Sequence, residues 1–214
     1  MKISAKAKLK TKKSTNKKTT FTETARKKQI LDVSMTLFRE KGYANTSIAN
    51  IADLAGISRG VVFYYFDGKK ELGEEVIRQN LKNYGLFVQN RLLNKYTAVE
   101  KLLEYIDACL DYTAEHKKDW IVVVDTLGHI ENNTQKSSLL TWISERTQKQ
   151  LSLLIVEGQE SGEIEKFPAK ELSWIIQAVV DGLMSLVAVQ PDDLDIHSCK
   201  KVLKNILLKI FKPE

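Results

Sequence analysis

Cysteine and histidine are scarce in this chain of 214 residues, and each scarcity closes off a class of function. Two isolated cysteines, Cys109 and Cys199, exclude a disulfide-stapled scaffold. Both fall in apolar helical patterns, so reduced, core-filling thiols in a cytoplasmic protein are expected. The three histidines, His116, His129 and His197, share no metal-ligand spacing, so no metal site is expected. There is no phosphate-binding P-loop and no dinucleotide-binding glycine pattern, so no cofactor is expected. Asp and Glu are plentiful but read as solvated helix faces, and the chain is not expected to be an enzyme. No uninterrupted apolar run reaches the roughly 18 residues of a membrane span. The most apolar stretch, 175–189, is broken by Gln177 and Asp181, so no membrane partner is expected. Residues 3–20 are mostly Lys, Thr and Ser in place of the apolar segment of a signal peptide. No internal repeat is present.

What the chain does have is an uneven charge. The net charge is +6. Residues 1–72 carry sixteen Lys and Arg against six Asp and Glu, a net of +10, and the remainder carries a net of −4. Such a split implies one end that faces a polyanion and a separate body. Residues 1–20 hold eight lysines and no acid, too little apolar surface to form a core. Residues 1–21 are therefore expected to be a disordered basic tail, with a merely solubilising role as the competing reading.

Periodicity beyond the tail is helical throughout. Ile30, Leu31, Leu37 and Phe38 form the stripe of a helix over 22–41, with Thr22 as cap and Gly42 as stop. Thr46 opens a second helix bearing Ile48, Ile51, Ala52 and Ala55. Gly56 stops it and Ser58 caps a third. Asp67-Gly68 makes a turn into a helix over 69–93, and another spans 98–116. The run Val122, Val123, Val124 after Asp119 has strand propensity, but its helical neighbours favour a buried helix. Ser137 or Ser138 starts a helix that Ser161-Gly162 ends. Pro168 begins one that stops before Pro191, and Asp192 or Asp195 begins the last. The expected fold class is all-α with about nine helices, comprising the tail, a helix-turn-helix unit over 22–68 and a helical body over 69–214.

Two short helices broken at a glycine, in a basic context, form the shape that enters a DNA major groove. Ser58, Arg59, Gly60 and Val61 would stand at the start of its recognition helix. Arg59 is the best base reader, because its fork matches the acceptors of guanine. Gly60 allows close approach, and Val61 suits a thymine methyl. Phe63, Tyr64 and Tyr65 follow on the same helix. The tyrosines are candidates for phosphate contacts, with packing of one against the first helix as the competing reading. Thr46 and Lys69 are the expected phosphate clamps.

Residues 23–72 resemble the DNA-binding domain of TetR-family transcriptional regulators. The resemblance rests on TARKKQILDVSMTLFREKGYANTSIANIADLAGISRG and YYFDGKKEL, with Gly42-Tyr43, Thr46-Ser47-Ile48, Ala55-Gly56-Ile57-Ser58 and Tyr65-Phe66 in register. Family members often have Thr at the Val61 position and Tyr at the Phe63 position; the valine removes one phosphate contact, and Phe63 lacks the hydroxyl of another, for which Tyr64 and Tyr65 are candidate replacements. The resemblance implies a homodimer on a palindromic double-stranded DNA operator. It also implies pairing through the last two helices, here Leu172, Ile176, Val179, Leu183, Val187, Val202, Ile206 and Ile210. Ligand-controlled repression follows from the same likeness. Between head and dimer helices, Tyr84, Phe87, Tyr105, Tyr112, His116, Trp120 and Trp142 are candidates to line a small-molecule site. Their character leans towards an apolar or aromatic effector, drug-like or fatty-acyl. The alternative is a constitutive dimeric DNA-binding or architectural protein without an effector, which a densely packed centre would favour.

Overall fold

The computed structural model describes residues 21–130, 138–189 and 195–211; residues 1–20 of the expected tail, Ser137, Pro191 and Asp192 lie outside the described residues, and Phe21, expected to end the tail, is already helical. Within them the fold is all-α, with nine helices. These are α1 Phe21–Lys41, α2 Ile48–Ala55, α3 Arg59–Tyr65, α4 Lys69–Leu92, α5 Ala98–Glu115, α6 Lys117–Ile130, α7 Ser138–Glu160, α8 Ala169–Val189 and α9 Ile196–Phe211.

Local chemistry explains the boundaries. Gly56 takes φ 64°, a left-handed turn that L side chains resist, and donates its N–H to Ala52 and Asp53 carbonyls, ending α2. Ser47, not Thr46, caps α2. Its Oγ accepts the Asn50 N–H at 3.1 Å while Asn50 Oδ1 accepts the Ser47 N–H at 3.0 Å. Ser58 caps α3 through Val61, as expected. Thr22 lies inside α1, which already runs from Phe21, so it is not the cap. Asp195 opens α9 by accepting the Ser198 N–H at 3.1 Å. The valine run is helical, with Val122 and Val123 buried and Val124 exposed.

Two apolar cores hold the helices. The first joins Ile30 and Phe38 of α1, Ile51 of α2, Val62 of α3, Leu72 and Ile77 of α4, and Val122 and Val123 of α6. The second joins Leu102, Ile106 and Leu110 of α5, Ile155 of α7, Val180 and Met184 of α8, and Phe211 of α9. Trp120 packs against both, and α4 adds Val88 to the second. The two cores are thus spliced by α4 and α6. Gly73 shows how closely α4 packs on the first core, because a Cβ there would stand 2.7 Å from the Tyr43 ring and 3.1 Å from Ile130 of α6. Residues Ala169–Ala188 of α8 are long and apolar enough to cross a membrane by length and composition. Here Ile176, Val180 and Met184 turn that helix's apolar side into the second core.

A charged seam ties α5 to its neighbours. Lys200 and Lys204, one turn apart on α9, pair with Asp111 and Asp107, one turn apart on α5. Arg91 of α4 bridges Glu104 and Asp111, and Lys95 reaches Glu104 at 3.0 Å. Desolvation raises the Asp111 carboxyl, but its hydrogen bonds and the charges of Lys200 and Arg91 outweigh that and hold it below the usual carboxylate range. Glu104 is lowered in the same way by Lys95 and Arg91. The stability these groups add is therefore present above the ordinary carboxylate pKa and lost as pH falls through the lowered one. Asp111→Asn is expected to cost about 1–2 kcal/mol at neutral pH, after allowance for partial solvent screening. Melting curves from about pH 7 down to about pH 3 should converge for the two proteins on the acid side; a constant offset would count against the seam.

Candidate nucleic-acid interface and effector site

Helices α2 and α3 meet across the Gly56 turn, and Val62 and Phe66 anchor α3 in the first core. That anchoring turns the opposite face outwards. Ser58, Arg59 and Gly60 are exposed at the start of α3, with Phe63 and Tyr64 exposed further along and Val61 and Tyr65 half-buried. Tyr64 directs its hydroxyl towards Glu23 of α1 at 3.5 Å and stacks edge-on against Tyr65 at 5.0 Å. Tyr65 packs partly on the first core. Leu54 of α2, which sequence reasoning did not single out, adds an exposed apolar side chain to the same unit.

Thr46 and Lys69 are differently placed from the expected clamps. Thr46 is buried, and its hydroxyl donates to the Gly42 carbonyl at 2.9 Å, so it pins the α1–α2 turn and offers no free hydroxyl outward. Lys69 donates to the Ala44 carbonyl at 2.9 Å and lies 4.3 Å above the Tyr43 ring. Desolvation lowers its ammonium pKa, and the nearby Asp125 charge partly offsets that. It ties the start of α4 to the α1–α2 turn. Arg59 has no such tether, which fits it for base contact. Arg59→Ala is expected to cost about 1–3 kcal/mol on a selected duplex and to relax the preference at one base pair. Competition with scrambled DNA is the check: equal losses on both duplexes would remove Arg59 as a reader.

The aromatic residues named for the body do come together, apart from Trp142, which lies on α7 with its side chain outside the described residues. Tyr84 lies 5.4 Å from Tyr112 and 5.9 Å from Trp120, and Phe87 lies 5.3 Å from Tyr112. His116 stacks on Tyr112 at 4.1 Å. In this conformation the rings fill the space between them. Tyr84 donates to Cys109 Sγ at 2.8 Å. Burial pushes the Cys109 thiol up to about 12 and raises the Tyr84 and Tyr105 phenols, so all three stay neutral. Two groups beside this cluster were missed as site residues. Gln177 is buried with its Oε1 lacking a partner, and Asp181, exposed by residue surface in the single chain, has its carboxyl hydrogen-bonded to Gln177 and raised by partial desolvation. Trp120 Nε1 also lacks a partner. In sequence, Gln177 and Asp181 showed only as polar breaks one turn apart in an apolar helix.

The apolar face of α8 and α9 is rotated from the expected stripe. Ile176 and Val187 are buried, so they belong to the core and not to an interface. Leu172 and Leu183 are half-buried against the second core, and the side chain of Ile210 is outside the described residues. Val179, Val202 and Ile206 are exposed as expected, joined by Trp174, Ile175 and Leu186. The exposed apolar residues are thus Trp174, Ile175, Val179 and Leu186 of α8, with Gly182 also exposed on that helix, and Val202 and Ile206 of α9.

A short glycine-broken helix pair, presented by a helical body, defines a helix-turn-helix transcriptional regulator. Residues 30–76 match the family model for bacterial regulatory proteins of the tetR family, and residues 98–212 match that for the C-terminal part of BetI-type transcriptional repressors. The chain belongs to the TetR family. It is 26% identical over 187 residues to the transcriptional regulator BetI of Escherichia coli, covering 81% of this chain and 87% of that one. With two further curated relatives the match spans 66% and 62% of their length. A transcriptional regulator of Saccharomonospora viridis in complex with choline superposes with a TM-score of 0.74 at 23% identity, over 86% of this chain and 95% of that one. FadR of Bacillus subtilis in complex with stearoyl-CoA superposes with a TM-score of 0.72 at 20% identity, over 86% and 99%.

Proposed function

We propose that this chain is a cytoplasmic, homodimeric repressor that binds a palindromic operator through residues 22–68 and is released by a small molecule bound in the body, 69–214. The observation that carries the DNA reading is the outward face of α3, where untethered Arg59 stands beside Gly60 in the basic end of the chain. Selection from random duplexes tests it. Recovery of a two-fold symmetric sequence bound by the dimer is expected, and recovery of no preferred sequence would overturn it.

For the effector, the lean towards an apolar or aromatic compound needs one addition. A carboxyl at Asp181, whose charge is felt at the Tyr84 and Tyr105 phenols, and an unpartnered acceptor at Gln177 one turn before it suit an organic cation. The choline carried by the Saccharomonospora protein is of that class; the stearoyl-CoA carried by FadR is not. Quaternary ammonium compounds and acyl-CoA are the two panels to titrate into the protein–DNA complex. Release by the cations, lost in Asp181→Asn, is expected, whereas release by acyl-CoA alone would reverse the class. The mutual packing of the rings favours one other reading, a constitutive DNA-binding dimer. That reading gains if no compound alters either DNA affinity or tryptophan emission.

A further inference from the structure

Helix α6 reaches from the aromatic cluster to the DNA-reading head. Trp120, in its first turn, touches Tyr84. Five residues on, about 7.5 Å along the axis, Asp125 Oδ2 accepts the backbone N–H of Tyr43 at 2.9 Å. This contact joins residues 82 apart in sequence and fixes the turn that leads from α1 to α2. Its surroundings are crowded with groups that sense its position. His129 Nδ1 lies 3.3 Å from Asp125, and the His129 ring lies 5.8 Å from the Tyr43 ring. Lys69 covers that ring at 4.3 Å, and the Phe38 ring meets its edge at 5.3 Å.

The seat of α6 is also incompletely satisfied. Among the described residues, three buried side-chain polar atoms have no hydrogen-bond partner, and two of them, Trp120 Nε1 and Thr126 Oγ1, are on α6. Such orphans cost free energy, and a helix carrying two of them has something to gain from a second position. It also has room for one. An open groove of about 1010 Å³ runs between α1 and α6, with Phe38, Arg39, Gly42, Ile121 and Asp125 in its walls. Across it α6 is held to α1 by a polar tie, the Arg39–Asp119 ion pair at 2.5 Å. A displacement of well under one helical turn would carry Asp125 off the Tyr43 N–H. It would leave the α1–α2 turn, and through it the α2–α3 pair, without its tether to α6, still held by Thr46 and Lys69.

We propose that Asp125 is a positioning residue for DNA binding, whose carboxylate holds the Gly42–Tyr43 turn so that a shift of α6 at Trp120 changes the presentation of Arg59. The assignment rests on the reading of α2–α3 as the DNA-binding unit. It adds the residue through which the body controls that unit. By the reciprocity of coupled equilibria, DNA bound at the head must then be felt at Trp120, with no effector needed.

The experiment uses the full-length protein and the duplex recovered by selection. In wild type the duplex is expected to change tryptophan emission, and loss of that change in Trp120→Phe assigns it. Asp125→Ala is expected to lower duplex affinity about tenfold and to abolish the emission change, with the melting transition retained. Asp125→Asn keeps an acceptor for the Tyr43 N–H and should restore most of both. Amide exchange at Tyr43 in wild type is a readout independent of variants, and it should slow when the duplex binds. An Asp125→Ala protein with wild-type affinity and emission response would overturn the assignment, as would unchanged exchange at Tyr43. Failure to select any duplex would overturn the DNA reading and this assignment together. A bound duplex with no response at Trp120 would overturn this assignment alone.

Discussion

Ile206→Glu is expected to give a folded monomer that binds a palindromic duplex about a hundredfold or more weakly than wild type. Ile206 is 51% exposed and Val202, one turn away, 57%, so the change is made on a surface and not in the core. With Trp174, Ile175, Val179 and Leu186 of α8 they are large apolar side chains that the last two helices leave uncovered in the single chain, and exposed apolar surface of this kind marks interaction sites. The proposed cover is the same surface of a second copy. A two-fold interface presents every substitution twice, so two carboxylates would be buried near one another without cations. Each unpaired buried charge costs about 3–5 kcal/mol, enough to move dissociation well past micromolar concentration. One head would then engage one half-site. Sedimentation should show a monomer, and affinity for a duplex with a single half-site should be unchanged. A dimer surviving at micromolar concentration would displace the interface to another surface.

That surface also marks where sequence reading ran out. The head was legible because its signals are local: Gly42 and Gly56 stop helices, Ser58 caps the next, and the apolar residues between them have one face. Even there the cap of α2 was misplaced by one residue, since Thr46 and Ser47 are chemically alike and only the Asn50 partner distinguishes them. Helix α8 is different. It is apolar almost all round, so several stripes fit it equally, and the spine chosen mixed core residues Ile176 and Val187 with the exposed Val179. Packing against α5 and α7 decides the rotation, and that is a long-range fact. The Thr97–Glu100 capping box at the start of α5 was present in the sequence and went unread. Asp125 was beyond reach: nothing local separates it from other helix carboxylates, and its partner is a backbone amide 82 residues away.

Removing residues 2–18 is expected to flatten the salt dependence of DNA binding more than any single substitution in the head. The segment carries eight lysines and no acidic residue, whereas α3 itself carries Arg59 as its single basic residue. Each lysine that neutralises a phosphate releases counterions and adds about 0.9 to the slope of log affinity against log salt. If about four lysines per tail engage, deletion should lower the slope by about 3.6 per subunit, roughly 150-fold in affinity between about 50 and 200 mM salt. The contribution carries no sequence choice, so binding to scrambled DNA should fall in the same proportion and the ratio of cognate to scrambled affinity should stay the same. Arg59→Ala should do the reverse, leaving the slope nearly intact while relaxing one base position. Running both variants over the same salt series separates the two roles. An unchanged slope after deletion would assign the lysines to solubility and place the whole electrostatic term on the folded head.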